Sequence, residues 1–164
     1  MQTKEELENW YSENDPWNYE TTVDDRMRKE IIINTLKTHC SPIKSILDIG
    51  AGEGFMTKDL PAEELYAIEI SDVAANRMPK NITRIHEPKD HDCIITCGTL
   101  YQQYDHKKIS EWLKMSKKYI VVAGIKDWLI HYDFGNLIYR IEFPYRQYTQ
   151  QLSIYEVTPQ HRDN

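Results

Sequence analysis

The sequence predicts an α/β fold: a mostly parallel sheet between two layers of helices, ending in an antiparallel hairpin. Three observations lead there. Short apolar runs alternate with helix-length segments, the pattern of parallel strands joined by helical crossovers. Three of the six glycines crowd into Gly50-Ala51-Gly52-Glu53-Gly54, directly after one such run. The last two strand-like stretches, 139–145 and 151–157, are separated only by Arg146-Gln147-Tyr148-Thr149-Gln150 and read as a hairpin.

The elements follow in order. Residues 1–22 are acidic and aromatic, with Trp10, Tyr11, Trp17 and Tyr19. A helix is expected over 24–39, with Met27, Ile31, Ile32 and Leu36 on one side and Ser41-Pro42 as its stop. Strand one covers about 44–49. A short helix is expected from Phe55 to Leu60, ended by Pro61. Strand two is 65–70. Ser71 can N-cap a helix running to Met78. Strands three and four are 82–86 and 93–97. Asp105 can cap a helix carrying Ile109, Trp112 and Leu113. Strand five is 119–123.

Length and composition narrow the classes. A chain of 164 residues is expected to form one domain, with 1–22 as a lid or strap. It has no apolar run long enough to span a membrane, and its first residues lack a signal-peptide core. Cys40, Cys93 and Cys97 lack metal-site spacing and suit a reducing cytoplasm, so no metal is expected. The net charge of −6, from 20 basic and 26 acidic residues, disfavours broad nucleic-acid binding. The basic groups Arg26-Met27-Arg28-Lys29 and Lys117-Lys118 read as solvated helix faces.

The glycine run carries the most chemistry. A turn without Cβ atoms lets backbone N–H groups approach a ligand, and a helix start behind it would favour an anionic group. The alternative is a plain tight turn. The spacing is G-x-G-x-G, with bulky Phe55 where a dinucleotide fold places its third glycine. The segment Leu47-Asp48-Ile49-Gly50-Ala51-Gly52-Glu53-Gly54 resembles motif I of class I S-adenosylmethionine (SAM) methyltransferases. That resemblance implies a Rossmann-like fold, SAM as cofactor and S-adenosylhomocysteine (SAH) as product. Asp15-Pro16-Trp17-Asn18-Tyr19-Glu20-Thr21-Thr22 is similar to the opening of nodulation-type N-methyltransferases. Those enzymes methylate the amine of a chitooligosaccharide, which implies a small-molecule acceptor such as a sugar or amino sugar. Their aromatic-plus-glutamate pair is replaced here by Val23-Asp24-Asp25.

Candidate residues follow from this frame. Glu69, at the end of strand two, can accept both ribose hydroxyls, and Ile70 would line the adenine slot. Asp48 and Glu53 flank the turn, where a carboxylate pairs with the methionine ammonium or bonds turn amides. Glu87, after strand three, is a candidate for the adenine amino group, and His86 a weaker one. Gly98-Thr99-Leu100-Tyr101 should pass beside the transferable methyl group. Trp17 and Tyr19 form part of a lid or a packed strap. Tyr101, His106 and His131 are candidate bases, the histidines because they titrate nearest neutral pH. Lys126, Asp127, Trp128 and Tyr132 are expected around the acceptor. Two other classes stay open: a SAM-binding subunit without turnover, and an NAD-dependent oxidoreductase, against which the glycine spacing argues.

Overall fold

The central strands of the parallel half are buried on both faces, and that requires cover on both sides. A computed structural model describes residues 1–158. The elements are α1 (Lys4–Trp10), α2 (Val23–His39), β1 (Ile43–Ile49), β2 (Ala62–Ile68), α3 (Asp72–Asn76), β3 (Ile82–Arg84), β4 (Cys93–Cys97), α4 (His106–Leu113), β5 (Tyr119–Ile125), β6 (Asn136–Tyr145) and β7 (Tyr148–Glu156). Seven strands form one sheet in the order β3-β2-β1-β4-β5-β7-β6. The first five are parallel, and β7 runs antiparallel to both β5 and β6.

Successive strand residues point to opposite faces. Ile46 and Ile95 therefore join Ile32 and Leu36 of α2 on one side. Their neighbours Leu47 and Ile94 join Ile109 and Leu113 of α4 on the other. All four of these strand side chains are fully buried. The expected hairpin is present, closed at Arg146, which takes a positive φ of 52°.

Four features depart from the sequence expectation. Residues 1–22 contain α1, capped by Thr3, whose hydroxyl accepts from the Glu6 N–H at 3.2 Å. The helix expected after the glycine run is only a 3-10 turn, Thr57–Asp59. Pro61 holds Leu60 extended, and β2 begins at Ala62, so no room is left for an α-helix. Helix α2 is also rotated from the expected stripe: Met27 is exposed, whereas Asp25 is buried beside Ile32 and Leu36. Arg28, expected on a solvated face, is turned inward, with only 11% of its side chain exposed.

Asp25 explains that rotation. Its carboxylate, fully buried, accepts from the Tyr145 hydroxyl at 2.5 Å and from the Arg146 guanidinium at 2.6 Å. Arg28 stands 3.3 Å from the same group. The backbone N–H of Arg146 donates to Asp24 at 2.8 Å. The start of α2 is thus clamped to the turn of the β6–β7 hairpin. Removing the carboxylate would leave two guanidiniums without their shared counter-ion, which costs several kcal/mol when the group is buried. Asp25→Ala should lower unfolding free energy by about 3–5 kcal/mol in urea denaturation; a loss below about 1 kcal/mol would show that the clamp is not structural.

Candidate functional site

The carboxyl ends of the parallel strands open into a cavity of about 830 Å³. That is the size range of ligand pockets, and ligands of open α/β sheets bind at this end.

The glycine turn forms its floor. Gly50, Gly52 and Gly54 have φ of 77°, 60° and 84°. A Cβ at Gly50 would run into the Thr99 methyl, and one at Gly52 would lie 2.8 Å from the Tyr11 hydroxyl. The turn is therefore pressed between the loop after β4 and the amino-terminal segment. Four of its amides are engaged within the protein. Those of Gly50 and Ala51 donate to the Ile68 carbonyl, at 2.8 and 3.3 Å, and that of Gly54 to the Ala51 carbonyl at 3.0 Å. The Gly52 amide donates to Glu69 Oε1 at 2.8 Å.

Glu69 also accepts from the Ser71 N–H, through Oε2, at 2.8 Å. It is buried, yet it lines the cavity. Burial raises its pKa, and the two amide bonds oppose that rise. Each carboxylate oxygen keeps further acceptor capacity towards the cavity. Ile70, Arg84 and His86 line the same end. The Arg84 guanidinium donates to the Glu69 carbonyl at 2.7 Å and pairs with Asp72 at 2.8 Å.

The amino-terminal segment covers the middle. Trp17 stacks on Tyr19, with ring centroids 6.4 Å apart, and Tyr19 meets Phe55 at 5.5 Å. The Trp17 indole N–H donates to the Tyr11 hydroxyl at 3.0 Å. Asp15, at φ 46°, caps the following turn by accepting from the N–H groups of Tyr19 and Glu20. The Asp15 N–H donates to Glu53 Oε1 at 2.8 Å, and Arg146 donates to the Trp17 carbonyl at 3.0 Å. Two latches therefore hold the segment over the turn.

The β5–β7 end is aromatic. Trp128 lies 5.8 Å from Tyr101, edge-on, and 4.8 Å from Tyr148. The Tyr101 hydroxyl accepts from the Ile125 N–H at 2.7 Å. Burial raises the Tyr101, Tyr145 and Cys97 pKa values and pushes Tyr19 up to about 12. Asp105 and Lys108, further along the loop after β4 and in α4, also line the cavity.

Comparison with known proteins agrees with this geometry. No protein-family model matches the sequence, and no curated protein matches it. Solved structures do match. The N-methyltransferase NodS from Bradyrhizobium japonicum WM9, in complex with SAH, superposes with a TM-score of 0.76 at 16% identity, covering 95% of this chain and 98% of NodS. The magnesium protoporphyrin IX methyltransferase ChlM from Synechocystis PCC 6803, with bound SAM, gives 0.73 at 12%, covering 96% and 98%. A putative RNA methyltransferase from Pyrococcus horikoshii gives 0.62 at 15%, covering 95% and 100%. The chain has the class I methyltransferase fold.

Within that fold the expected site residues separate into two groups. Gly50, Glu69, Ile70, Gly98, Thr99, Tyr101, Trp17, Tyr19 and Trp128 line the cavity. Gly52 and Ala51 shape the turn beneath it. The remaining candidates lie outside the lining. Asp48 is buried under the turn, where it accepts from the Thr57 hydroxyl at 2.7 Å. Glu53 holds the amino-terminal segment through the Asp15 N–H and pairs with Arg77 at 3.7 Å. Gly54 packs towards Ile82, and Leu100 is buried in the core. Glu87, Asp127 and His131 are exposed. His106 is held by Tyr132 at 2.6 Å, and Lys126 pairs with Glu142 at 2.9 Å. An antiparallel bridge between Tyr101 and Leu129 holds the loops after β4 and β5 together. The cavity also recruits Tyr11, Arg28, Arg146 and Tyr148, which sequence reasoning did not propose. For Arg28 the available signal was Asp25 three residues earlier on the same helix. Among the described residues no group of three or more His, Cys, Asp or Glu is placed to hold a metal, and no helix is long and apolar enough to cross a membrane.

Asp48 gives a pH signature. Burial pushes its pKa from 3.8 up to about 7. Between those values the folded state binds more protons than the unfolded one, so stability falls as pH rises through that window. Glu69 contributes with the same sign. Asp48→Asn should flatten the profile of unfolding free energy between pH 4 and 7; an unchanged slope would show that Asp48 is not a source of it.

Proposed function

We propose that the protein is a SAM-dependent methyltransferase acting on a small polar acceptor, with an amine as the methylated group. The carrying observation is Glu69: a buried carboxylate at the end of β2, fixed by two backbone amides, facing a cavity that lies between the glycine turn and an aromatic lid. A vicinal diol is the natural partner for such a carboxylate. NodS and ChlM, with the same fold, are bound to SAH and SAM.

SAM, when bound, supplies a methyl group made electrophilic by its sulfonium, so transfer is an in-line displacement. The chain's contribution is alignment and exclusion of water. Well-oriented reactants gain roughly 7–11 kcal/mol over free encounter. Glu69 and the wall from Ile70 to His86 would hold the adenosine half. Trp17 and Tyr19 would screen the sulfonium from water, with favourable cation–π contacts. Tyr101, Trp128 and Tyr148 would hold the acceptor against the loop after β4. The residues named around the acceptor, Tyr101, Trp128 and Tyr148, include no carboxylate or imidazole. That favours an amine that has lost its proton to solvent over a hydroxyl, which needs a general base. An amino sugar meets that requirement. A second reading is a SAM-binding subunit without turnover, favoured by the purely aromatic character of Tyr101, Trp128 and Tyr148. Release of SAH in the presence of an amine acceptor separates the two.

Calorimetric titration should show saturable binding of SAM and SAH and none of NAD. Glu69→Ala should weaken both by about 2–3 kcal/mol, the value of hydrogen bonds to a charged group. Binding of NAD instead, or unchanged affinity in the variant, would contradict the reading.

A further inference from the structure

Parallel strands are ordinarily joined by a helical crossover of a dozen residues or more. The connection from β3 to β4 has no helix. Residues 85–92 carry the chain from the sheet edge past β2 and β1 to β4. One imidazole packs where helix side chains would otherwise stand. His91 is fully buried, its Nδ1 is 2.9 Å from Ser45 Oγ of β1, and its ring meets Tyr66 of β2 edge-on at 5.1 Å. The Lys89 N–H donates to His91 Nε2 at 2.9 Å. A backbone N–H only donates, so Nε2 carries no proton, and the neutral ring donates from Nδ1 to Ser45. A proton added at Nε2 would set one N–H against another and place a charge inside the fold.

We propose that His91 is an acid-sensitive lock on the segment between β3 and β4, and through it on the adenosine end of the cavity; the second half rests on the methyltransferase reading. The segment is anchored at both ends. The Ile85 N–H donates to the Ala67 carbonyl at 2.9 Å, and the His91 carbonyl accepts from the Lys117 N–H at 3.0 Å. Between these anchors the backbone is held by the bond from Lys89 to His91, and Pro88 is buried. His86, inside this stretch, and Arg84, just before it, line the cavity. The charged groups around the imidazole are Asp90 and Lys89 on its own segment, Glu64 on β2 and Lys117 ahead of β5. Asp90 and Lys117 lie 3.6 Å apart, and Asp92 accepts from the Lys44 N–H at 2.8 Å. Burial lowers the His91 pKa below its ordinary 6.5; Lys117 and Lys89 act in the same direction, and Asp90 and Glu64 oppose it. On acidification the unfolded or opened segment therefore takes the proton first. The stabilisation is complete above pH 6.5 and is lost as pH falls through the folded value.

The test uses the full chain, wild type and His91→Gln, whose amide oxygen can accept from Lys89 but does not titrate. Nitrogen-edited NMR of the wild type at about pH 7.5 should show the His91 ring protonated at Nδ1 and bare at Nε2. Between about pH 7.5 and 4.5, exchange of the Lys89 amide, corrected for its intrinsic rate, should rise about tenfold or more in the wild type and stay level in the variant. SAH affinity should fall over the same range by about fivefold more in the wild type than in the variant, which shares every other titrating group. A ring protonated at Nε2 at the higher pH, a ring that titrates at or above 6.5, or equal exchange in both proteins would overturn the lock. An equal fall in SAH affinity would overturn its reach to the cavity. Failure of the wild type to bind SAH at all would instead defeat the methyltransferase reading, and the ring and amide measurements would still test the lock. Those two need only the wild type, so they hold even if the variant does not fold.

Discussion

The site depends on one carboxylate held in one place. Glu69 joins the amide of Gly52 to that of Ser71, and so ties the glycine turn after β1 to the end of β2. Burying a carboxylate is unfavourable by itself, and two amide donors offset that cost while fixing the orientation. With the turn fixed, Gly50 can sit against Thr99 and Gly52 against Tyr11, contacts that no side chain at either position would permit. The floor of the cavity, the loop after β4 and the amino-terminal segment meet at that arrangement.

A second ionic centre organises the other half. Asp25 gathers Tyr145, Arg146 and Arg28 at the start of α2. Through Arg146 it also reaches the carbonyl of Trp17 in the lid. The β6–β7 hairpin turn, α2 and the lid therefore meet at one buried acid. Departure of the lid would break the Arg146 contact and the Asp15–Glu53 contact, both polar and partly exposed. Such contacts are individually weak.

Much of this was legible in the sequence because parallel strands announce themselves. A strand buried on both faces is a continuous apolar run, so Cys93–Cys97 has the bounds read for it. The place of Glu69 at the cavity was legible by position, since the carboxyl ends of parallel strands open there whichever helices follow. Arg28 was not. Its neighbours Arg26, Met27 and Lys29 give α2 the look of a solvated face, and the residues that turn it inward, Tyr145 and Arg146, lie more than a hundred positions away. His106 and His131 were chosen for their intrinsic titration, but the bridge from Tyr101 to Leu129 sets the course of their loops, and local pattern does not show it. The missing helix after the glycine run follows from Pro61, whose effect on Leu60 outweighs the helix expectation. In α1, Thr3 followed by Glu6 is a capping pattern that went unread beside the aromatic residues.

A crystal structure of the protein grown with SAH tests the central claim most directly. The account predicts the ribose hydroxyls on Glu69, the adenine beside Ile70 and the sulfur facing the loop at Gly98–Thr99. Density for SAH outside the cavity, or a nucleoside whose ribose does not meet Glu69, would contradict it.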